Sequence, residues 1–202
     1  MGIKRMLMVL SMAMAVGAFS APAVAQANVI LTDPPGTKVP VGAGITATST
    51  NFHMPTSIGT FTCKKVTLHY TLVTNGNNHV VLNPVNTPTH NGTTEGCEEH
   101  TVFGSFASTA TNFGTGQLTI NTWGTGVTPF TYTTTVPALN LHCTWTGNLH
   151  VRGTNGTDIA HAGPSSVVGS GPNCPASGTV TGTFTLETSN GTPVTIDHVN
   201  TP

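Results

Sequence analysis

The sequence predicts an all-β domain: a single β-sandwich of Greek-key or immunoglobulin-like type, or a related barrel, held by two disulfides. Three observations lead there. Threonine makes up roughly a fifth of the 202 residues, with Val, Gly, Asn and Ser filling much of the rest. Thr and Val are β-branched and suit a pleated surface, whereas Gly and Asn make turns. Apolar residues recur with period two, and no segment after the N-terminal leader carries a 3.6-residue stripe.

The leader comes first. Lys4 and Arg5 precede an apolar run from Met6 to Phe19, and Ala23-Val24-Ala25 supplies a small-x-small cleavage site. Residues 1–25 therefore read as a secretory signal peptide, and no later segment is apolar enough to span a bilayer as a helix. Residues 26–44 form an extended N-terminal segment, "ANVILTDPPG" at its start. Residues 45–202 form one all-β domain, a length that allows a real core. Without the leader the bases are Lys38, Lys64, Lys65 and Arg152, against seven acids, so the exported chain sits near −3. Charged residues are 6% of the chain, far below the roughly 25% of an ordinary soluble domain. No basic stripe exists for nucleic acid.

Strands follow from alternation. From Leu139 to Arg152 the odd positions include Leu139, Leu141, Cys143, Trp145, Leu149 and Val151; the even ones are Asn, His, Thr and Arg. One face enters the core and one meets water. The segment from Phe61 to Leu72 changes phase at Lys64-Lys65, as a β-bulge would, and two lysines suit an exposed edge. Further strands are expected at Val29–Leu31, Ile45–Thr50, His79–Leu82, Thr101–Ala107, Gln117–Trp123 and Pro129–Val136. A last hairpin runs through "GTVTGTFTLET" and "TPVTI". Asn75-Gly76, Asn155-Gly156 and Asn190-Gly191 lie between alternating segments, where Asn-Gly tolerates positive φ. Residues 83–96 and 160–174 read as polar loops. Asn91, Asn155 and Asn190 also open glycosylation sequons, here read as turns.

Four cysteines in an exported chain imply two disulfides, with three connectivities open. An internal repeat chooses among them. "CKKVTLHYTLVTNG" and "CTWTGNLHVRGTNG" both start at a cysteine and end in Thr-Asn-Gly, with the glycine thirteen residues on. Each is followed by a second strand, a loop and another cysteine. Cys63–Cys97 and Cys143–Cys174 would staple each unit to itself.

Chemical motifs are sparse. Nucleophile elbows, Ser-x-x-Lys and His-Glu-x-x-His are absent, so no catalytic residue is assigned and an enzyme is not expected. Glu98 and Glu99 are adjacent, but strand neighbours point to opposite faces. The nine histidines suggest one metal set, His90 with Glu98 and His100. The spacings match no ligand pattern, and polar residues on wet strand faces explain them as well; no metal and no cofactor is assigned. Nine imidazoles also predict that binding to an acidic surface rises as pH falls through about 6. Trp145 shares parity with core residues. Trp123 is out of phase with Leu118 and Ile120, so it is a possible ligand contact.

The order of parts has a resemblance. "GAGITATSTNF", "GTFTCKKVTLHYTLVTNG", "TWGTGVTPF", "LHCTWTGNLHV" and "CPASGTVTGTFTL" together resemble small secreted bacterial four-cysteine proteins. These include the activators of alkane oxidation, which are associated with biofilm and cell-surface material. The resemblance implies a non-enzymatic, secreted cell-surface or extracellular-matrix protein, adhesive or matrix-forming, with no catalytic residues to carry over. Its partners would be further copies of itself or cell-surface polysaccharide. The apolar strand candidate Val29–Leu31, set off by Pro34-Pro35, would either insert into a neighbour's sheet or complete its own. The alternative function is a secreted binding module for polysaccharide or an apolar ligand.

Overall fold

Alternation of apolar and polar residues, broken by glycine and asparagine turns, gives fourteen strands in the described residues of a computed structural model. Those residues are 30–33, 36–76, 78–85 and 91–198; the signal peptide and His90 lie outside them. The strands are β1 Ile30–Asp33, β2 Thr37–Lys38, β3 Gly44–Ser49, β4 Phe52–Pro55, β5 Gly59–Gly76, β6 His79–Pro84 and β7 Gly92–Thr101. They continue as β8 Gly104–Thr115, β9 Leu118–Asn121, β10 Thr125–Val136, β11 Leu141–Gly153, β12 Ile159–Ser170, β13 Ser177–Thr188 and β14 Thr195–Asp197.

The main sheet closes on itself. β10 to β13 pair in succession, β13 pairs with β3 and β4, and both of these pair with β5. On its other side β5 pairs with β6 and β7, which continue through β9 and β8 back to β10. The result is an antiparallel barrel connected neighbour to neighbour, in which β3/β4, β6/β7 and β9/β8 each share one stave. Of the forms the sequence predicts, this is the barrel, and closure removes the free edges of the main sheet. A small sheet, β14-β1-β2, lies beside one end.

Period two holds along β11, whose odd residues Leu141, Cys143, Trp145 and Leu149 are buried while His142, Thr146, Asn148 and His150 are exposed. The phase change in β5 is also present: Lys64 and Lys65 both face out, between buried Cys63 and Val66. They do not mark an edge, since β5 is paired on both sides. Nor does the register slip, because Cys63↔Cys97 and Lys65↔Glu95 belong to one continuous ladder. β7 turns two residues out at the same level, where Gly96 adopts φ 59° opposite the Lys64 side chain. Adjacent strands bend together, which keeps the ladder intact.

Above this belt the interior is mainly aliphatic, with Leu68, Leu82, Leu118, Ile120, Leu149 and Leu186. Below it lies an aromatic cluster. Phe113 meets Phe52 at 5.4 Å and Phe130 at 5.2 Å, edge to face, and Tyr132 packs against Phe130 at 5.1 Å. Such pairs add about 0.5–1.5 kcal/mol each beyond their buried area. Trp145 is buried, as its parity requires, and its indole N–H donates to Thr134 Oγ1 at 3.0 Å.

Both disulfides pair as the repeat predicts, Cys63–Cys97 and Cys143–Cys174. The repeated punctuation marks two strands of similar reach. From each cysteine the chain runs along one long strand, to the end of β5 at Gly76 and of β11 at Gly153, and turns at Gly76 and Gly156 with φ 108° and 70°.

Four expectations change. The strand expected over Thr101–Ala107 is broken by the β7–β8 turn at residues 102–103, so its two ends belong to different strands. Residues 160–174, expected as a loop, are mostly β12; Gly163-Pro164 breaks its alternation, and the register shifts between Ala162 and Ser165. β7 starts at Gly92, inside the other expected loop, because its inward positions are Thr94, Cys97 and Glu99 rather than aliphatic residues. Asn91 is no surface turn: it is buried, accepts the Thr115 N–H at 2.8 Å and donates to the His69 carbonyl at 3.2 Å.

The N-terminal strand is used within the chain. Leu31 is fully buried, and β1 pairs with β14 and β2. The Asn75 amide secures it, accepting from the Leu31 N–H at 2.7 Å and donating to the carbonyls of Leu31 at 2.9 Å and Val39 at 2.7 Å.

Candidate functional site

The barrel leaves almost no room inside. An interior cavity of about 40 Å³ is lined by Leu68, Tyr70, Leu82, Leu149, Phe184 and their neighbours. Ligand sites enclose roughly 300–1,000 Å³, so a ligand of that size has room only on the exterior.

There the wet face of β11 meets the turns at the β5–β6 and β13–β14 end of the barrel. Thr125, Arg152, His161 and Thr183 form one row across β10, β11, β12 and β13. Arg152 faces outward because strand parity puts Val151 and Gly153 inward. It divides two open clefts. One, of about 380 Å³, is lined by Asn121, Thr125, Val127, His150 and Arg152 among others. The second, of about 490 Å³, is lined by Arg152, Gly153, Thr154, Asn155, His161 and His198.

The walls are held by backbone and amide contacts. Asn121 Oδ1 accepts from the Trp123 and Thr125 N–H groups at 2.9 and 3.2 Å and from the Thr125 hydroxyl at 3.1 Å. That fixes the β9–β10 turn, whose Trp123 is 41% exposed. Gly124 has φ 69°, and a Cβ there would run into the His198 imidazole. The Gly124 carbonyl accepts the Gly153 N–H at 2.8 Å. His198 Nε2 lies 3.1 Å from the Gly153 carbonyl, which can only accept, so that nitrogen carries the proton. The His198 N–H donates to Asn155 Oδ1 at 2.7 Å, and His161 Nδ1 is 3.3 Å from the Thr183 hydroxyl.

Among the described residues, the ion pairs are Lys65–Glu95 at 3.4 Å and His100–Glu98 at 3.7 Å. No described carboxylate neutralises Arg152. Its planar guanidinium is therefore free to take an external acid group in a two-pronged contact, flanked by hydroxyl, amide and imidazole groups.

A second unusual group lies at the other end, inside. Glu99 shares parity with Cys97 and sits between Phe61 and Phe106 on the neighbouring strands. It is 6% exposed, and its Oε1 has no hydrogen-bond partner. Burial pushes its pKa up to about 7. A Cβ on Gly59 would stand 2.8 Å from that oxygen, so glycine leaves room for the carboxyl. Tyr132 is raised well above the usual phenol value by burial and then by the Glu99 charge.

Trp123 is exposed as expected, but on the β9–β10 turn rather than on a strand; its turn neighbours Asn121 and Thr125 line the first cleft, and Trp123 itself lines neither. The four cysteines are structural. Glu98 and Glu99 diverge, one outward and one inward. Among the described residues no three His, Cys, Asp or Glu side chains are placed to hold an ion; of the set His90, Glu98 and His100, the last two lie 3.7 Å apart and His90 is outside the described residues. Sequence reasoning missed Arg152 and Glu99 as features. Each had a signal: Arg152 ends the polar face of the most regular strand, and Glu99 lies two residues from a disulfide cysteine, hence on the inner face.

No protein-family model matches the chain, and no curated protein or solved structure shows significant similarity to it.

Proposed function

We propose that the protein is a secreted, non-enzymatic component of the cell surface or extracellular matrix, and that it acts through its exterior by holding polysaccharide. The observation that carries this is the contrast between a closed, filled barrel and open polar clefts around Arg152. An apolar ligand has only about 40 Å³ inside. With β1 paired within its own fold and the main ladder closed, exchange of barrel edge strands between copies lacks a free edge.

Two disulfides suit an oxidising compartment. No helix among the described residues is long and apolar enough to cross a membrane. The outward positions of the long strands are mostly Thr, Ser, Asn, His and charged residues, with exposed valines only singly at 73, 127 and 168, unlike the apolar band of a lipid-embedded barrel. The leader and the resemblance to secreted four-cysteine surface proteins point the same way.

Fractionation of the producing cells, without boiling or reduction, tests this. The oxidised protein is expected in the surface and matrix fraction, released by enzymes that degrade matrix polysaccharide. An intracellular pool carrying four free thiols would overturn it.

A further inference from the structure

We propose that Arg152 and the two clefts it divides bind an acidic polysaccharide, with a uronate carboxylate seated on the guanidinium and adjoining sugars lying in the clefts. This rests on the polysaccharide-holding function and names its substrate class and site.

Three features select that ligand. The first is charge: one unneutralised guanidinium stands among groups that are mostly uncharged, in a chain with a small net negative charge. A nucleic acid brings a phosphate at every unit and needs a basic stripe. A single cation amid hydroxyls and amides fits a chain that carries one acid group and several hydroxyls per sugar.

Shape is the second. Cavities of about 380 and 490 Å³ flank the same residue. The row Thr125, Arg152, His161, Thr183 crosses four staves, about 14 Å at the spacing of strands. That is the reach of a short oligosaccharide rather than a single small ion. Hydrogen-bonding groups lie on both sides of the cation: Asn121, Thr125 and His150 in one cleft, Thr154, Asn155 and His161 in the other.

The third is the aromatic surface. Trp123 is half-exposed on a turn held by three hydrogen bonds to Asn121 Oδ1 and joined to the Gly153 backbone through Gly124. A rigid indole at a wet site offers an apolar face at low entropic cost. Val127, 48% exposed in the first cleft, adds apolar surface. Sugars present exactly this mixture in reverse, with C–H faces beside hydroxyl edges.

The experiment uses the oxidised full-length mature chain and a hexamer of galacturonic acid, with the carboxyl-reduced hexamer as neutral control, read by titration calorimetry. The acidic hexamer is expected to bind at least tenfold more tightly than the neutral one, and more weakly as salt rises. Arg152→Gln should lose about tenfold or more. Arg152→Lys should recover part of that, because an ammonium keeps the charge but not the fork. Trp123→Ala should weaken both sugars alike. Circular dichroism and melting temperature verify that each variant is folded, and Thr146→Ala, on the same face of β11 but away from the clefts, should bind as the parent does. Equal binding of the two hexamers, an unchanged Arg152→Gln, or no binding of the acidic hexamer would each overturn the site. Surface localisation with no uronate binding rejects the site alone; an intracellular, reduced protein rejects the function beneath it.

Discussion

Replacing Glu99 by glutamine removes one charge from the inside of the barrel and should reshape the pH dependence of stability. In the unfolded chain the carboxyl ionises at its ordinary value of 4.5; in the folded chain burial holds it at about 7. Below pH 4.5 it is neutral in both states and carries no charge penalty. As pH rises toward 7 the unfolded chain gives up the proton first, so folding stability falls. Above 7 the whole penalty stands. The gap between the two values, at about 1.4 kcal/mol per pH unit, sets a ceiling of about 3 kcal/mol. For a domain of this size that is about 6–12 °C in melting temperature. The assay is urea unfolding of parent and Glu99→Gln from pH 4 to 9. The difference between the two proteins cancels other titrating groups common to both, including the histidines. Relative to its value at pH 4, that difference should move by up to about 3 kcal/mol in favour of the glutamine variant by pH 8. Parallel curves across the range would refute the reasoning, because they would mean the folded carboxyl ionises as freely as the unfolded one.

Three further outcomes are expected. Asn75→Ala removes the side-chain partner of the Leu31 N–H and of the Val39 carbonyl, while the Leu31 carbonyl keeps the Val39 N–H; it should cost about 2–4 kcal/mol and speed hydrogen exchange in residues 30–33 more than in β10 or β11. Tyr70→Phe removes the 2.7 Å contact with the Thr115 hydroxyl and should cost about 1–2 kcal/mol, measured by urea unfolding at pH 7. Burial holds the Tyr70 phenol at about 12 against the usual 10, so this variant should also lose part of the stability decline the parent shows above pH 10. Replacing Cys63 and Cys97 together by alanine opens a crosslink 34 residues long and should cost about 3.5–4 kcal/mol by loop entropy.

The sequence was most legible where a residue's role follows from parity. β11 appears from Leu141 to Gly153 with its two faces sorted as expected, and Trp145 takes the inner place its phase requires, whereas Trp123 is exposed on the β9–β10 turn. The repeat of cysteine and Asn-Gly turn pointed to the disulfide pairing because each copy is one long strand leading from a cysteine to a turn. Legibility failed where polar residues point inward. β7 carries Thr94 and Glu99 on its inner side, so no apolar alternation announced it, and β12 hides its phase shift at Gly163-Pro164. The Arg152 clefts were invisible for a different reason. Arg152 and His161 meet across the β11–β12 pair, but Asn121 and His198 are remote from them in the chain, and only the β9–β10–β11 pairing and the return of the C-terminal segment bring all four to one rim. Asn75 and Asn91 show the same limit, since both looked like turn residues and both are buried anchors whose partners are remote in sequence.

Binding at the exterior clefts, and none in the barrel interior, is the central expectation. The most direct measurement is amide chemical-shift mapping of the labelled, oxidised protein during titration with acidic oligosaccharide. The account predicts shifts concentrated at Asn121–Thr125, His150–Asn155, His161 and His198. Shifts centred on the amides around Leu68, Leu82 and Leu149, which line the interior cavity, would contradict it, as would a spectrum that does not change.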